Sequence, residues 1–251
     1  MKVNSKTLFG VRFDELPMTE VLDSAMGSGF EYVVTPNVQH VVELSKNNQL
    51  RAIFGAAKLS LCDSRVIQLL SVKLNSRVKN VIPGSDLTEF LFLQGALRKK
   101  RVMIVGSDSS SVQSLTKKYS LEFCEHYEPP MGFINSGEEV SRLIDEVNTF
   151  QPQVLFLALG FPRQEMVAHM LHKSAKFPCV AFCIGASIDF LTGKQVRAPE
   201  VWRHFRLEWL HRFLSNPSRL FKRYFVDGLG IFPLFYKEWL KRKVSAKSTT
   251  P

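Results

Sequence analysis

Three stretches of this chain are apolar almost without a break: Val102 to Val105, Val154 to Leu159 and Cys179 to Ile184. A strand with one face in water alternates apolar and polar residues. A strand covered on both faces need not, and such runs are typical of parallel sheets sandwiched between helices. Each run ends in a turn of small or rigid residues and then a helical pattern. The turns are Gly106-Ser107-Asp108-Ser109, Gly160-Phe161-Pro162 and Gly185-Ala186-Ser187. Parallel neighbours need long crossovers, which helices supply. The expectation is therefore an α/β fold, a Rossmann-like and mostly parallel sheet flanked by helices.

The remaining elements fit around those runs. Lys6 to Val11 predicts a short strand or hairpin, followed by a helix through Met18 to Met26. Glu31 to Thr35 reads as a strand stopped by Pro36, and Asn37 can cap a helix on which Val38, Val41 and Val42 share a face. Leu59 to Cys62 is a further short strand ending at Asp63, with helical patterns at Arg65 to Val72 and Asp86 to Leu97. Beyond Val105 come a helix to about Tyr119, a strand over Leu121 to Cys124, and an irregular loop at Pro129 to Phe133. An amphipathic helix follows on Val140, Leu143, Ile144 and Val147. The expected division is a core over 1–196, a basic helical appendage over 197–244 and a disordered polar end over 245–251.

Composition narrows the function classes. No apolar run reaches ~18 residues, the usual minimum for a membrane-spanning helix. Met1 to Lys6 lacks the apolar core of a signal peptide, so a cytoplasmic location is expected. The four cysteines form no CxxC pair and read as reduced, mostly buried thiols. His169 and His172 lie three apart with no carboxylate or cysteine at ligand spacing, so they read as solvent-facing or packing residues and no metal site is expected. The net charge of +10 is concentrated late: Arg197 to Lys243 holds seven Arg and four Lys against three Glu and one Asp, a net of +7. Such a tail can meet nucleic acid, anionic lipid or a phosphorylated substrate. Trp209, Phe225, Phe232 and Trp239 interleave with its cations, which favours a membrane interface, and no nucleic-acid-binding module is recognisable.

Candidate site residues cluster at predicted strand ends, the edge where open α/β sheets bind ligands. Asp63 can take a proton from an attacking hydroxyl, or cap the helix at Arg65. Thr35 and Asn37 can bind hydroxyls or phosphate, or serve turn and cap. The loop from Gly106 to Ser111 follows a strand and opens a helix, a possible diphosphate cradle although it is not GxGxxG. Gly185 exposes backbone N–H groups, and Asp189 just beyond it can accept hydrogen bonds from a ribose or base. Gln164 and Glu165 sit at a helix start facing the same edge; Glu165 can instead serve the helix dipole. Arg212, Arg219 and Arg223, at i, i+7 and i+11, share roughly one face if a helix continues past Pro217 and are candidates for binding an acceptor or diphosphate.

Several of these motifs together resemble the WecG/TagA/CpsF family of bacterial glycosyltransferases, which act on lipid-linked sugars at the inner membrane surface. The resemblance rests on Gly185-Ala186-Ser187-Ile188-Asp189-Phe190, Gly193, Arg197-Ala198-Pro199 and Glu208 to Arg212. It rests also on Gly160-Phe161-Pro162-Arg163-Gln164-Glu165, and on Thr35-Pro36-Asn37 followed by Asp63. It spans roughly Val11 to Val226. It implies an inverting, metal-independent transfer from a UDP-sugar to a polyprenyl-diphosphate-linked sugar in surface polysaccharide synthesis. Asp63 would be the general base with Thr35 beside it, Gln164 and Glu165 would line the donor pocket, and Asp189 would contact the base. The implied partners are the nucleotide-sugar, the lipid-linked acceptor, an anionic membrane surface and a possible second copy of the chain. One position departs: the family commonly carries Arg three residues before the glycine of Gly84-Ser85-Asp86-Leu87, and here it is Val81, with Arg77 and Lys79 nearby. Two other readings are a non-catalytic partner in a polysaccharide assembly complex and a basic nucleic-acid-binding protein.

Overall fold

A computed structural model describes residues 3–194 and 228–248. Six parallel strands form the central sheet in the order β4-β3-β8-β7-β5-β6. They are β3 (Phe30–Val34), β4 (Leu59–Ser60), β5 (Arg101–Gly106), β6 (Phe123–Tyr127), β7 (Val154–Ala158) and β8 (Cys179–Cys183). An antiparallel hairpin, β1 (Asn4–Leu8) and β2 (Val11–Glu15), stands apart from it.

The apolar runs are explained by what covers them. Along β7, Leu155 and Leu157 face one core cluster while Val154 and Phe156 face the other, and β5 and β8 alternate in the same way. The first face packs against α2 (Val38–Lys46), α3 (Asn48–Ala56), α4 (Arg65–Lys73), α7 (Gly137–Phe150) and α8 (Arg163–Ser174). The second packs against α1 (Val21–Ala25), α5 (Gly84–Leu93), α6 (Ser109–Tyr119) and α9 (Ser187–Leu191). Each fully buried Val, Leu, Ile or Phe contributes about 1.5–3 kcal/mol relative to exposure, so the two-faced strands carry much of the stability.

The helix expected over Asp86 to Leu97 is α5, Gly84–Leu93, and the strand boundaries that moved most lie at the sheet edges. β6 occupies Phe123–Tyr127, not Leu121 to Cys124, because its register is set by pairing with β5, from Arg101 opposite Phe123 to Val105 opposite Tyr127. Leu121 is buried in the core beyond the ladder. β4 is only two residues long, but the parallel ladder runs on as Leu61 N donates to Val34 O (2.8 Å) and Asp63 N to Pro36 O (3.1 Å). α3 has a cap that the sequence reading passed over, Asn47, whose side chain accepts from Gln49 N and Leu50 N.

The last helix, α10 (Ile231–Ser248), folds back onto the core. Its inner face buries Ile231 and packs Leu234, Phe235 and Trp239 against the first cluster, and Gly230 approaches Val42 so closely that a Cβ there would lie 2.8 Å from it. Pro233 is tolerated in its first turn, where an N–H has no helical partner anyway. Two expectations change here. Trp239 is turned toward the core with Lys243 Nζ 3.8 Å over its ring, so it is not an outward anchor. The helix also runs to Ser248 rather than ending in disorder at 245, since a helix already nucleated and packed extends readily through Ser, Ala and Lys. The rest of the proposed appendage, with Trp209, Phe225, Arg212, Arg219 and Arg223, lies outside the described residues, as does the boundary at 196.

Candidate active site

All six parallel strands present their carboxyl ends on one edge. From β4 to β5 this edge carries Asp63, Thr35, Gly185, Gly160 and Gly106 in turn. The connections after β5 and β7 leave in opposite directions, toward β6 and β8, so the crevice between β5 and β7 is the topological switch point where such sheets bind ligands.

A cleft of about 310 Å³ opens at that crevice, with a neighbouring lobe on the β8 side. Ser107, Ala158, Leu159, Arg163 and Asp189 line both. The closeness of the strands here requires a glycine: Gly106 has φ +88°, and a Cβ on it would sit 2.7 Å from Ala158 O. Ser107 Oγ donates to Asp189 Oδ1 at 3.3 Å, which ties the β5 turn to α9 and sets the carboxylate in the cleft wall. Gly106 and Asp189 are thus brought together as expected.

In the loop from Gly106 to Ser111 the helix N-terminus is already occupied. Asp108 already caps α6, accepting from Ser111 N (3.0 Å) and Ser111 Oγ (2.7 Å), and it pairs with Lys194 at 2.7 Å. The Lys194 hydrogen bond, then those from Ser110 and Ser111, hold its carboxyl well below the usual carboxylate range. A fixed negative charge therefore occupies the helix N-terminus that would have taken a phosphate, and the loop offers Ser107 and a lining instead.

The positive charge in the cleft comes from residues that sequence reasoning passed over. Arg163, the first residue of α8, lines both lobes, and its guanidinium lies over Gly160, 3.5 Å from where a Cβ would be. Among the described residues Arg163 has no ion-pair partner, whereas Lys194 on the opposite wall is paired with Asp108. Arg163 was legible as part of the quoted Gly160–Glu165 motif, but nothing in spacing marks it above its neighbours.

Gln164 and Glu165 sit beneath the cleft, 5% and 1% exposed. Gln164 Oε1 accepts from Gly185 N (2.8 Å) while its Nε2 donates to Glu165 Oε1 (2.9 Å). They hold the Gly185 corner from below and do not line the cleft. Glu165 Oε2 is buried without a partner, and burial, opposed by the Gln164 hydrogen bond, pushes its carboxyl up to about 7.

At the other end of the edge, the continued β3–β4 ladder brings Thr35, Asn37 and Asp63 together along the backbone. Ser64 caps α4, its Oγ accepting from Ile67 N at 3.3 Å, so that task does not fall to Asp63. Asn37 does cap α2, accepting from His40 N in a reciprocal capping box. Its Oδ1 is used by that cap. Gly84 packs closely on Thr35: a Cβ would lie 3.0 Å from Oγ1. Val81 packs on the core, and the loop around it carries Arg77 and Lys79 exposed. β4 and β7 are three strand spacings apart, about 14 Å at about 4.8 Å each.

No group of three or more His, Cys, Asp or Glu able to hold a metal ion occurs among the described residues. His169 Nδ1 lies 3.1 Å from the Tyr32 hydroxyl and His172 Nδ1 2.6 Å from Phe30 O, packing roles as expected. Among the described residues no helix is long and apolar enough to cross a membrane.

Residues 6–245 match the glycosyl transferase WecG/TagA/CpsF family. The chain belongs to this family. It is therefore a glycosyltransferase, and the reading as a non-catalytic or nucleic-acid-binding protein gives way. An N-acetylglucosaminyldiphosphoundecaprenol N-acetyl-beta-D-mannosaminyltransferase of Bacillus spizizenii is 29% identical over 204 residues, 80% of this chain and 76% of that protein. A protein of the same name from Staphylococcus aureus is 22% identical over 251 residues, 96% of this chain and 94% of its own length.

Proposed function

We propose that this glycosyltransferase moves a sugar from a UDP-sugar to a polyprenyl-diphosphate-linked sugar, with inversion, at the cytoplasmic face of the membrane during synthesis of a bacterial surface polysaccharide. The observation that carries the reading is one sheet edge with a cleft at its switch point and an aspartate, not needed as a helix cap, three strands away. The names of the relatives support the lipid-linked acceptor.

In this mechanism the acceptor hydroxyl oxygen attacks the anomeric carbon on the face opposite the diphosphate. The bond from that carbon to the phosphate oxygen breaks, the hydroxyl proton passes to Asp63, and UDP leaves. A positioned base of this kind is worth about 10²–10⁴-fold. Thr35 orients the acceptor hydroxyl. Asp189 and Ser107 take hydroxyl or N–H groups of the nucleoside, and Arg163 meets the charge that grows on the departing diphosphate. Arg212, Arg219 and Arg223 are further candidates for that charge. Side-chain cations fill the role of a metal in this reading, so chelation is expected to leave the rate unchanged.

The test is a panel of UDP-sugars, including UDP-N-acetylmannosamine, with a synthetic prenyl-diphosphate-linked N-acetylglucosamine. Acceptor-dependent UDP release with one donor, and a product of opposite anomeric configuration, is expected. Release with no donor in the panel, or a product of retained configuration, contradicts the reading.

A further inference from the structure

The helix that starts two residues after Asp63 has an outer face with no explanation in the chemistry above. On α4, Val66, Leu69 and Val72 are 43%, 68% and 47% exposed, at i, i+3 and i+6 on one side. Ile67, Leu70 and Leu74 pack inward on the opposite side. From Ser64 to Ser85 the chain carries Arg65, Lys73, Arg77 and Lys79 and no Asp or Glu. A single exposed leucine is unremarkable; a ridge of three inside an acid-free basic segment is not.

The adjoining helix repeats the arrangement. On α10, Phe232, Tyr236, Leu240 and Val244 recur every four residues on the outer side and are at least 41% exposed. Arg242 fastens this helix to the end of α4, donating to Leu74 O at 3.3 Å, while its pairing with Glu238 uses the one carboxylate of α10. Lys237, Lys241 and Lys243 remain alongside.

We propose that α4 is a membrane-docking element, whose Val66, Leu69 and Val72 ridge, flanked by Arg65, Lys73, Arg77 and Lys79, lies on an anionic bilayer and sets the acceptor end of the site at the lipid surface. The charge chooses the occupant. A second copy of the same face would oppose cation to cation, which costs association energy, whereas anionic headgroups neutralise each cation and the acyl region accepts the ridge. The position of α4 gives the contact a purpose that rests on the transfer reading: a bilayer against this helix presents a lipid-held diphosphate next to Asp63.

The contact is measured without turnover, by co-sedimentation of the full-length protein with phosphatidylglycerol vesicles and with phosphatidylcholine vesicles. Wild type should prefer phosphatidylglycerol, and Leu69→Glu with Val72→Glu should lower partitioning at least about tenfold, with melting temperature and UDP affinity unchanged. Should that pair fail to fold, Leu69→Cys carrying an environment-sensitive dye is read instead, and a blue shift on adding phosphatidylglycerol vesicles is expected. Wild-type partitioning of the double variant, or a dye that stays in water, overturns the proposal. So does a changed sedimentation coefficient with vesicle binding intact, which would make the ridge a contact between copies. Vesicle binding that behaves as expected while no UDP-sugar is turned over would defeat the transfer reading alone.

Discussion

The two ends of the catalytic edge are built by different means. At the β5/β7/β8 end, a cleft is shaped by close backbone approach, with Gly106 against Ala158 O, and propped from below by Gln164 on Gly185 N. At the β3/β4 end the support is a short ladder with a buried anchor on the edge strand. Asp63 follows the two-residue edge strand β4 and Thr35 follows its neighbour β3; two further backbone hydrogen bonds extend their ladder, and Asp14, which accepts from Ser60 N at 2.8 Å, anchors β4. In the proposed reaction the first arrangement holds the nucleotide and the second receives an acceptor that arrives from outside, attached to a lipid. The difference teaches that substitutions at the two ends should separate binding from chemistry.

The largest expected effect is at the open end. Asp63→Asn keeps the shape but cannot take the proton, and kcat should fall by about 10²-fold or more with UDP affinity retained. Turnover near wild type would remove Asp63 as the base.

At the closed end, Arg163→Ala should weaken UDP binding about tenfold, as expected for loss of a charge-assisted contact. Uridine, which has no diphosphate, should bind almost as before. Equal losses for UDP and uridine would mean that Arg163 shapes the cleft without meeting phosphate. Asp189→Ala should show the reverse pattern, a loss of several-fold, about one hydrogen bond's worth, shared by UDP and uridine.

The smallest effect concerns the prop. The Glu165 carboxyl is raised from 4.5 to about 7 in the fold. Between those values the folded state holds a proton that the unfolded chain has released, so stability falls as pH rises through this window. Glu165→Gln should flatten that slope in melting temperature between pH 5 and pH 8, roughly the window set by the two pKa values, with UDP affinity little changed. An unaltered slope would place the titrating group elsewhere. Truncation after Val196 is a poorer probe of the tail, because it also strips α10 from the core and uncovers Val42.

The sheet was legible because strands buried on both faces must be apolar throughout, and Val154 to Leu159 has no other comfortable place. Edge strands were less so: β6 owes its extent to its partner, not to its own residues. At the site, Asp63 and Thr35 are singled out by resemblance, and what the structure adds is their place on one sheet edge and the Ser64 cap that removes the rival role for Asp63. The tasks of Asp108 and Gln164 were not legible, since each depends on a partner far along the chain, Lys194 or Gly185, and Glu165 is placed by its neighbour Gln164 and by its burial. Arg163 was in view but undistinguished, because a cation acquires meaning only from the cleft wall it occupies.

The most direct test of the divided edge is calorimetric titration of UDP into Asp63→Asn and Arg163→Ala side by side. The account predicts wild-type affinity for Asp63→Asn and a loss of about tenfold for Arg163→Ala. Loss of UDP binding in Asp63→Asn, with Arg163→Ala binding normally, would contradict it and place the nucleotide at the β3/β4 end.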